Sequence, residues 1–222
     1  MATVGCESGQ ELRQRAKRIV ALLKKRYPQA TTALRYSTPH ELLVATVLAA
    51  QCTDKKVNEI TADLFRKYRS PQDFAKARRA TLEKEIKPAG FFRNKAKSII
   101  ALSKDVVDKH GGTVPDELEE LVKLRGVGRK TANVILAAVF GKPAIVVDTH
   151  MIRLANRLGF TDKKDPVKIE FELMDVVPRK DWGHFSFMIT LHGREVCKAQ
   201  RPLCHICLIE KLCPSSTLRQ RE

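Results

Sequence analysis

The length, composition and charge of this chain exclude several classes of protein. Its 222 residues and 43% hydrophobic fraction are enough for one packed domain or two small ones. No apolar run approaches the roughly 20 residues that cross a bilayer, and no secretory signal is evident, so we expect an intracellular, cytoplasmic chain. The 41 Lys and Arg against 25 acidic residues give a net charge of +16, which favours a polyanionic partner. Charge alone leaves DNA, ribosomal RNA and anionic membrane surfaces equally open.

Amphipathic helical patterns follow one another along the chain. Thr38-Pro39-His40-Glu41 resembles a capping box, and it starts an apolar helix that should be buried. The β-type run at 144–147 has no partner, so we expect an extended connector rather than a strand. The sequence therefore predicts an all-α protein. Helices are predicted over about 11–27, 39–50, 57–64, 95–109, 130–139, 149–158, 166–177 and 183–193, with short helices starting near 70, 81 and 115.

A turn with two glycines, Gly126 and Gly128, lies between two helical patterns. Glycine reaches positive φ without a steric penalty and allows another backbone to come close. The helix after the turn begins near Lys130, and the amides of a helix N-terminus suit a phosphate group. The pattern predicts a helix-hairpin-helix motif. An ordinary turn between two core helices is the alternative that the residues alone leave open.

Asp148 follows the connector and precedes an apolar helical pattern. Either Asp148 or Thr149 could simply cap that helix. A carboxylate held at a helix end can also take part in chemistry, so the two roles are compatible.

Four cysteines are clustered near the end of the chain. In an intracellular protein, such a group of thiolates predicts a metal site rather than disulfides. Structural zinc and an iron–sulfur cluster both accept four thiolates, and the residues alone do not decide between them. Cys6 and Cys52 stand apart and are expected to be inert thiols. The four cysteines of the cluster are Cys197, Cys204, Cys207 and Cys213.

Two of these motifs together resemble the signature of the endonuclease III family of DNA glycosylases, in the helix-hairpin-helix superfamily. They are Gly126-Val127-Gly128-Arg129-Lys130 and Val147-Asp148-Thr149-His150. The resemblance runs from about Pro39 to Cys213. It implies a bifunctional DNA glycosylase/AP lyase of base excision repair, which removes oxidised pyrimidines from duplex DNA and nicks the abasic site by β-elimination through a lysine Schiff base. The resemblance also implies that the protein is a monomer and that it binds damaged double-stranded DNA in the nucleoid.

The resemblance also implies roles for single residues. Lys130 would be the nucleophile that attacks C1′ of the damaged nucleotide, and Asp148 would assist it and stabilise positive charge on the sugar. The four clustered cysteines would bind a [4Fe–4S] cluster. Gln51 would fill the gap left by the extruded base, and Phe91 would wedge the duplex, although leucine is common at that position. Further DNA contacts would come from Gly126, Gly128, Arg129, His150, Lys198 and Arg201; Asp54 also matches a position near the pocket.

The family's architecture consists of two helical lobes with the active-site cleft between them. By this resemblance, residues 32–142 would form a helical barrel with the helix-hairpin-helix. Residues 1–31 and 143–222 would form the iron–sulfur domain. Two rivals remain: a monofunctional mismatch or adenine glycosylase on the same fold, and a non-catalytic DNA-binding module with structural zinc.

Overall fold

The structure, a computed structural model, describes residues 7–218 of the chain. This described part contains eleven α-helices and no strand, which confirms the predicted all-α class. None of its helices is both long and apolar enough to span a membrane. The helices are α1 (Gly9–Arg26), α2 (Pro39–Leu48), α3 (Asp54–Lys67), α4 (Pro71–Ala75), α5 (Arg79–Glu85), α6 (Phe92–His110), α7 (Leu118–Leu121), α8 (Arg129–Ala138), α9 (Thr149–Arg157), α10 (Pro166–Val176) and α11 (Trp182–Glu195).

The helix starts follow local capping chemistry. The Thr38 hydroxyl accepts a hydrogen bond from the Glu41 N–H, and Pro39 occupies the first turn of α2, as predicted. The Glu41 carboxylate accepts from the Ser37 N–H instead of the Thr38 N–H, so only one half of the expected capping box is formed. Residues 144–147 form no regular element, so the expected connector is confirmed.

The fold consists of two compact units. One unit comprises residues 32–140 and is built around α2, which packs against α3, α6 and α8. The helix is buried on nearly every side, as its apolar sequence predicts. Helix α6 also packs against α4 and α5, and α7 packs against α8. The fully buried large side chains of this unit include Leu42, Leu43, Leu48, Phe74, Leu82, Ile86, Ile99, Leu102, Leu121 and Ile135.

The other unit comprises the described parts of residues 1–31 and 141–222. Helix α1 packs against α10 and α11, while α9 packs against both α10 and α11. The connector is held to this unit because the Val146 N–H donates to the Ser186 hydroxyl at 2.9 Å. These contacts fix the start of α9, where Asp148 lies. The core is formed by a single cluster that includes Ile19, Leu23, Ile145, Met151, Leu154, Ile169, Leu173, Phe185, Met188 and Ile189.

Candidate active site and metal centre

The glycine turn lies between α7 and α8. Its backbone closes on itself where the Val127 N–H donates to the Leu124 carbonyl at 3.0 Å. Gly126 has φ of 82°, but Gly128 has φ of −89° and is the N-cap of α8. Only Gly126 therefore needs the conformational freedom of glycine, which the sequence suggested for both.

Gly126 also lies against α6. A Cβ atom built on this residue would come within 3.0 Å of the Ser98 Cβ and 3.2 Å of its hydroxyl. In the described part of the chain, no atom other than those of Gly128 and its two chain neighbours lies within 4 Å of the equivalent position on Gly128. The hairpin therefore packs against α6 at Gly126 and is open at Gly128.

This difference predicts the outcome of a matched pair of substitutions. Gly126→Ala should destabilise the protein by about 1–3 kcal/mol, because positive φ and the Ser98 contact both oppose a Cβ. Gly128→Ala meets neither obstacle and should cost less than about 1 kcal/mol. Urea denaturation of both variants measures the difference. Equal stabilities would show that the hairpin geometry described here is wrong.

Lys130 lies in the first turn of α8, two residues after the N-cap. Its side chain is exposed, and that of Arg129 is half-buried. The first amides of a helix have no intrahelical acceptor and form the positive end of the helix dipole. This end of α8 combines backbone donors with two cationic side chains, which suits a phosphate backbone.

Both oxygens of the Asp148 carboxylate have defined partners. One oxygen, Oδ1, accepts from the Met151 N–H at 2.7 Å and so caps α9. The other, Oδ2, lies 3.1 Å from the Thr190 hydroxyl on α11, whose single proton it shares with the Ser186 carbonyl at the same distance. Asp148 therefore does cap α9, and the contact with Thr190 holds its carboxylate in one orientation. Sequence reasoning missed Thr190 because it lies 42 residues away on another helix.

His150 occupies the first turn of α9, half-buried against α11. A Cβ on Gly193 would lie 2.7 Å from the His150 Nδ1, so the ring packs directly on bare backbone. Arg153 places its Nη2 atom 3.1 Å from the same nitrogen. Burial lowers the pKa of His150 below its usual value, although Asp148 opposes that shift. The imidazole is thus held neutral near neutral pH.

Gln51 and Phe91 share an unusual backbone conformation. Gln51 has φ of 55° and Phe91 has φ of 46°, and they are the only non-glycine residues with positive φ in the described chain. Such residues cost on the order of 1–3 kcal/mol each and cluster at functional sites. Both side chains are exposed, Phe91 by 66%, so Phe91 does not belong to the core. The backbone presents both side chains at the surface of their unit.

The four clustered cysteines line one pocket of about 460 Å³, a volume that includes open solvent. Leu154, Leu158, Val196 and Ile209 line the same pocket. Soft thiolates in an apolar wall are the donor set of an iron–sulfur cluster, and they also suit zinc. The four cysteines therefore fit either an iron–sulfur cluster or a zinc ion.

Hydrogen bonds support the pocket from two sides. The Arg157 Nη1 donates to the Cys197 Sγ at 3.3 Å, and the His192 Nε2 lies 3.4 Å from the Cys207 Sγ. Arg157 also donates to the carbonyls of Lys198 and Ala199, at 2.7 and 2.6 Å. The loop that carries the exposed Lys198 and Arg201 side chains is thereby tied to α9.

Burial raises the pKa of Cys207 to about 11, and it also raises the pKa of Cys213. These thiols stay protonated at neutral pH unless a positively charged group binds them. Within residues 7–218, no three His, Cys, Asp or Glu side chains converge closely enough to hold one metal ion. In a [4Fe–4S] cluster each thiolate binds a different iron, so the thiolates need not converge on one point.

Comparison with known proteins identifies relatives over most of the chain. Residues 44–179 match the family described as HhH-GPD superfamily base excision DNA repair protein. Endonuclease III of Synechocystis sp. is 50% identical over 92% of this chain and 94% of that protein. Endonuclease III of Bacillus subtilis is 46% identical over 88% of this chain and 90% of that protein. A solved structure of a trapped endonuclease III–DNA covalent intermediate, an estranged-adenine complex, gives a TM-score of 0.88 at 41% identity, covering 94% of this chain and 99% of that one.

The all-helical fold and the family match define a base excision DNA repair protein of the HhH-GPD superfamily. Within that superfamily, the chain belongs to the endonuclease III family. It is therefore a DNA glycosylase and AP lyase of base excision repair.

Proposed function

We propose that this enzyme removes oxidised pyrimidines from duplex DNA and then nicks the abasic site, with Lys130 as the nucleophile. The position of Lys130 supports the proposal: it is exposed in the first turn of the helix that follows the hairpin, beside Arg129. A helix N-terminus that binds the DNA backbone would hold a lysine amine close to a sugar. The enzyme would act as a monomer on nucleoid DNA.

The proposed chemistry proceeds through a covalent imine. The neutral Lys130 amine attacks C1′, and the bond from C1′ to the base breaks, so the base leaves with the electron pair. The C1′–O4′ bond then breaks as the lysine nitrogen forms a double bond to C1′, and O4′ takes the proton that this nitrogen loses, which gives an iminium. The iminium loses a proton from C2′, and the 3′ phosphate leaves as the C3′–O bond breaks. Water then hydrolyses the imine and releases the lysine. The products are a free base and a strand nicked 3′ to the lesion.

Asp148 would assist this reaction as a fixed negative charge. Loss of the base develops positive charge on the sugar, and a nearby carboxylate stabilises such a transition state. The hydrogen bonds from the Met151 N–H and the Thr190 hydroxyl limit rotation of the carboxylate. Capping α9 and stabilising charge are therefore compatible roles for this side chain.

DNA contacts are proposed at two places in the unit of residues 32–140. The hairpin amides around Gly126, Gly128 and Arg129 would bind backbone phosphates. Gln51 would fill the gap left by the extruded base, and Phe91 would wedge the stack. In the other unit, the proposed contacts are His150, Lys198 and Arg201. We also propose that residues 32–142 act as the barrel domain and that residues 1–31 and 143–222 act as the cluster domain.

Cys197, Cys204, Cys207 and Cys213 would hold a [4Fe–4S] cluster in the shared pocket. The group would supply a structural brace and take no part in the steps above. Arg157 contacts both a ligand sulfur and the carbonyls of the following loop, so an ordered ligand set would also order Lys198. The cluster would thereby present basic side chains to phosphates.

Metal analysis of the purified protein tests this assignment. We expect iron and acid-labile sulfide in equal amounts and a brown colour. Cys204→Ala should lose most of both, because it removes one of four ligands. Cys52→Ala is the matched control, since Cys52 lies outside the pocket and should leave the metal content unchanged. Stoichiometric zinc without iron would contradict the cluster assignment.

Base release from defined duplexes tests the substrate class. The expected result is release of thymine glycol, with strand nicking that needs no alkali treatment. Base release that becomes visible as a nick only after alkali would indicate a monofunctional glycosylase. Binding without base release from any lesion would contradict the proposed reaction and leave a DNA-binding module.

A further inference from the structure

Lys95 on α6 is a buried lysine that the proposed reaction does not use. The residue is only 5% exposed, which is unusual for this residue type. Its ammonium group donates to the Leu48 carbonyl at 2.9 Å and to the Ala89 carbonyl at 2.8 Å. Burial of a charged ammonium group costs free energy unless the group forms hydrogen bonds. The two carbonyls provide charge-assisted hydrogen bonds that offset this cost.

The two acceptors belong to two different turns. Leu48 is the last residue of α2 and lies three positions before Gln51. Ala89 is the last residue of the short 3₁₀ helix Lys87–Ala89 and lies two positions before Phe91. One side chain therefore joins the backbones that lead to both residues with positive φ.

These two turns contain the two strained residues of the described chain, Gln51 and Phe91, which both have positive φ. A non-glycine residue in the left-handed region relaxes unless its surroundings hold it there. Beyond the helix, the turn after α2 has backbone bonds from the Ala50 N–H to the Val47 carbonyl at 3.4 Å and from the Cys52 N–H to the Ala49 carbonyl at 3.1 Å, and both stay within this turn. The Lys95 ammonium group supplies the side-chain hydrogen bonds that bring both turns to one atom.

We propose that Lys95 is a positioning residue that couples the Gln51 turn to the Phe91 turn, so that the two side chains enter the duplex as a pair. This inference rests on the proposed function, in which those side chains fill and wedge the stack. The Lys95 backbone N–H also donates to the Phe91 carbonyl at 3.1 Å, as part of the first turn of α6, but the proposed coupling is the work of its side chain. It acts through the carbonyls of Leu48 and Ala89.

The test compares binding to two duplexes, one with a stable abasic-site analogue and one undamaged. Lys95→Met keeps the length of the side chain but removes its donors. We expect it to weaken binding to the analogue duplex by about tenfold or more while binding to undamaged DNA changes little, since misplacement of about 1 Å can cost on that order. Lys97→Met on the same helix is the matched control, because Lys97 is exposed and should retain the preference.

A double-mutant comparison separates positioning from general destabilisation. In a Gln51→Ala/Phe91→Ala background, Lys95→Met should cause no further loss of preference, because there is nothing left to position. An additive loss would overturn the inference, as would an equal loss on both duplexes or no loss at all. If Lys95→Met folds poorly, Lys95→Gln provides the same comparison, since its shorter amide cannot bridge both turns.

Failure of the inference and failure of the proposed function give different results. If the wild-type protein shows no preference for the abasic analogue, the proposed function itself is wrong. If the wild type shows the preference and Lys95→Met retains it, only the coupling role is wrong.

Discussion

Replacing Lys130 by alanine is expected to reduce nicking of abasic duplex DNA by about 1,000-fold or more, because the substitution removes the only atom that forms the imine. The protein should remain folded, since the side chain is exposed in the first turn of α8. Borohydride should trap no covalent adduct with the variant. Single-turnover nicking assays and denaturing gels measure both effects.

Lys123→Ala is the matched control for this experiment. Lys123 is another exposed lysine near the same hairpin, and its ammonium group contacts the Glu120 carboxylate at 2.6 Å. Its loss removes one positive charge but no nucleophile, so nicking should fall by less than about tenfold. If Lys130→Ala and Lys123→Ala behave alike, Lys130 contributes only charge and the imine assignment is wrong.

The second large effect is expected for Asp148, and here two substitutions separate two roles. Asparagine caps helices about as well as aspartate, so Asp148→Asn should keep α9 stable. Base excision should nevertheless fall by about 100-fold, because the negative charge is lost. Asp148→Ala should lose the same activity and, in addition, about 1 kcal/mol of stability.

Asp165 provides a control for the capping part of this effect. Its carboxylate caps α10 by accepting from the Lys168 N–H at 2.9 Å, as Asp148 caps α9. Asp165→Ala should therefore lose a similar stability and keep full activity. Thermal melts and base-release rates on the four proteins complete the comparison. If the Asp148→Asn variant keeps its activity, Asp148 acts only as the cap of α9 and has no catalytic role.

Local chemistry made much of the fold predictable from the sequence. The Thr38 cap and the proline after it locate the start of α2, because both act within one turn of chain. The Asp148 cap of α9 was predictable for the same reason. The spacing of the cysteines also predicted a shared site, since Cys204 and Cys207 fall in one short turn.

The features that escaped prediction depend on contacts between distant parts of the chain. Thr190 orients Asp148 from another helix, and Lys95 reaches the Leu48 carbonyl across 47 residues. Neither residue belongs to a local pattern that could reveal its partner. The two glycines of the hairpin looked equivalent in sequence. They differ because Ser98 packs against only Gly126.

Mapping the trapped covalent adduct identifies the nucleophile. The wild-type protein would be incubated with a thymine glycol duplex and borohydride, digested, and analysed by mass spectrometry for the peptide that carries the sugar remnant. We expect a single modified residue, Lys130. A remnant on another lysine or on the N-terminal amine would contradict the assigned nucleophile, and base release without any adduct would contradict the imine mechanism.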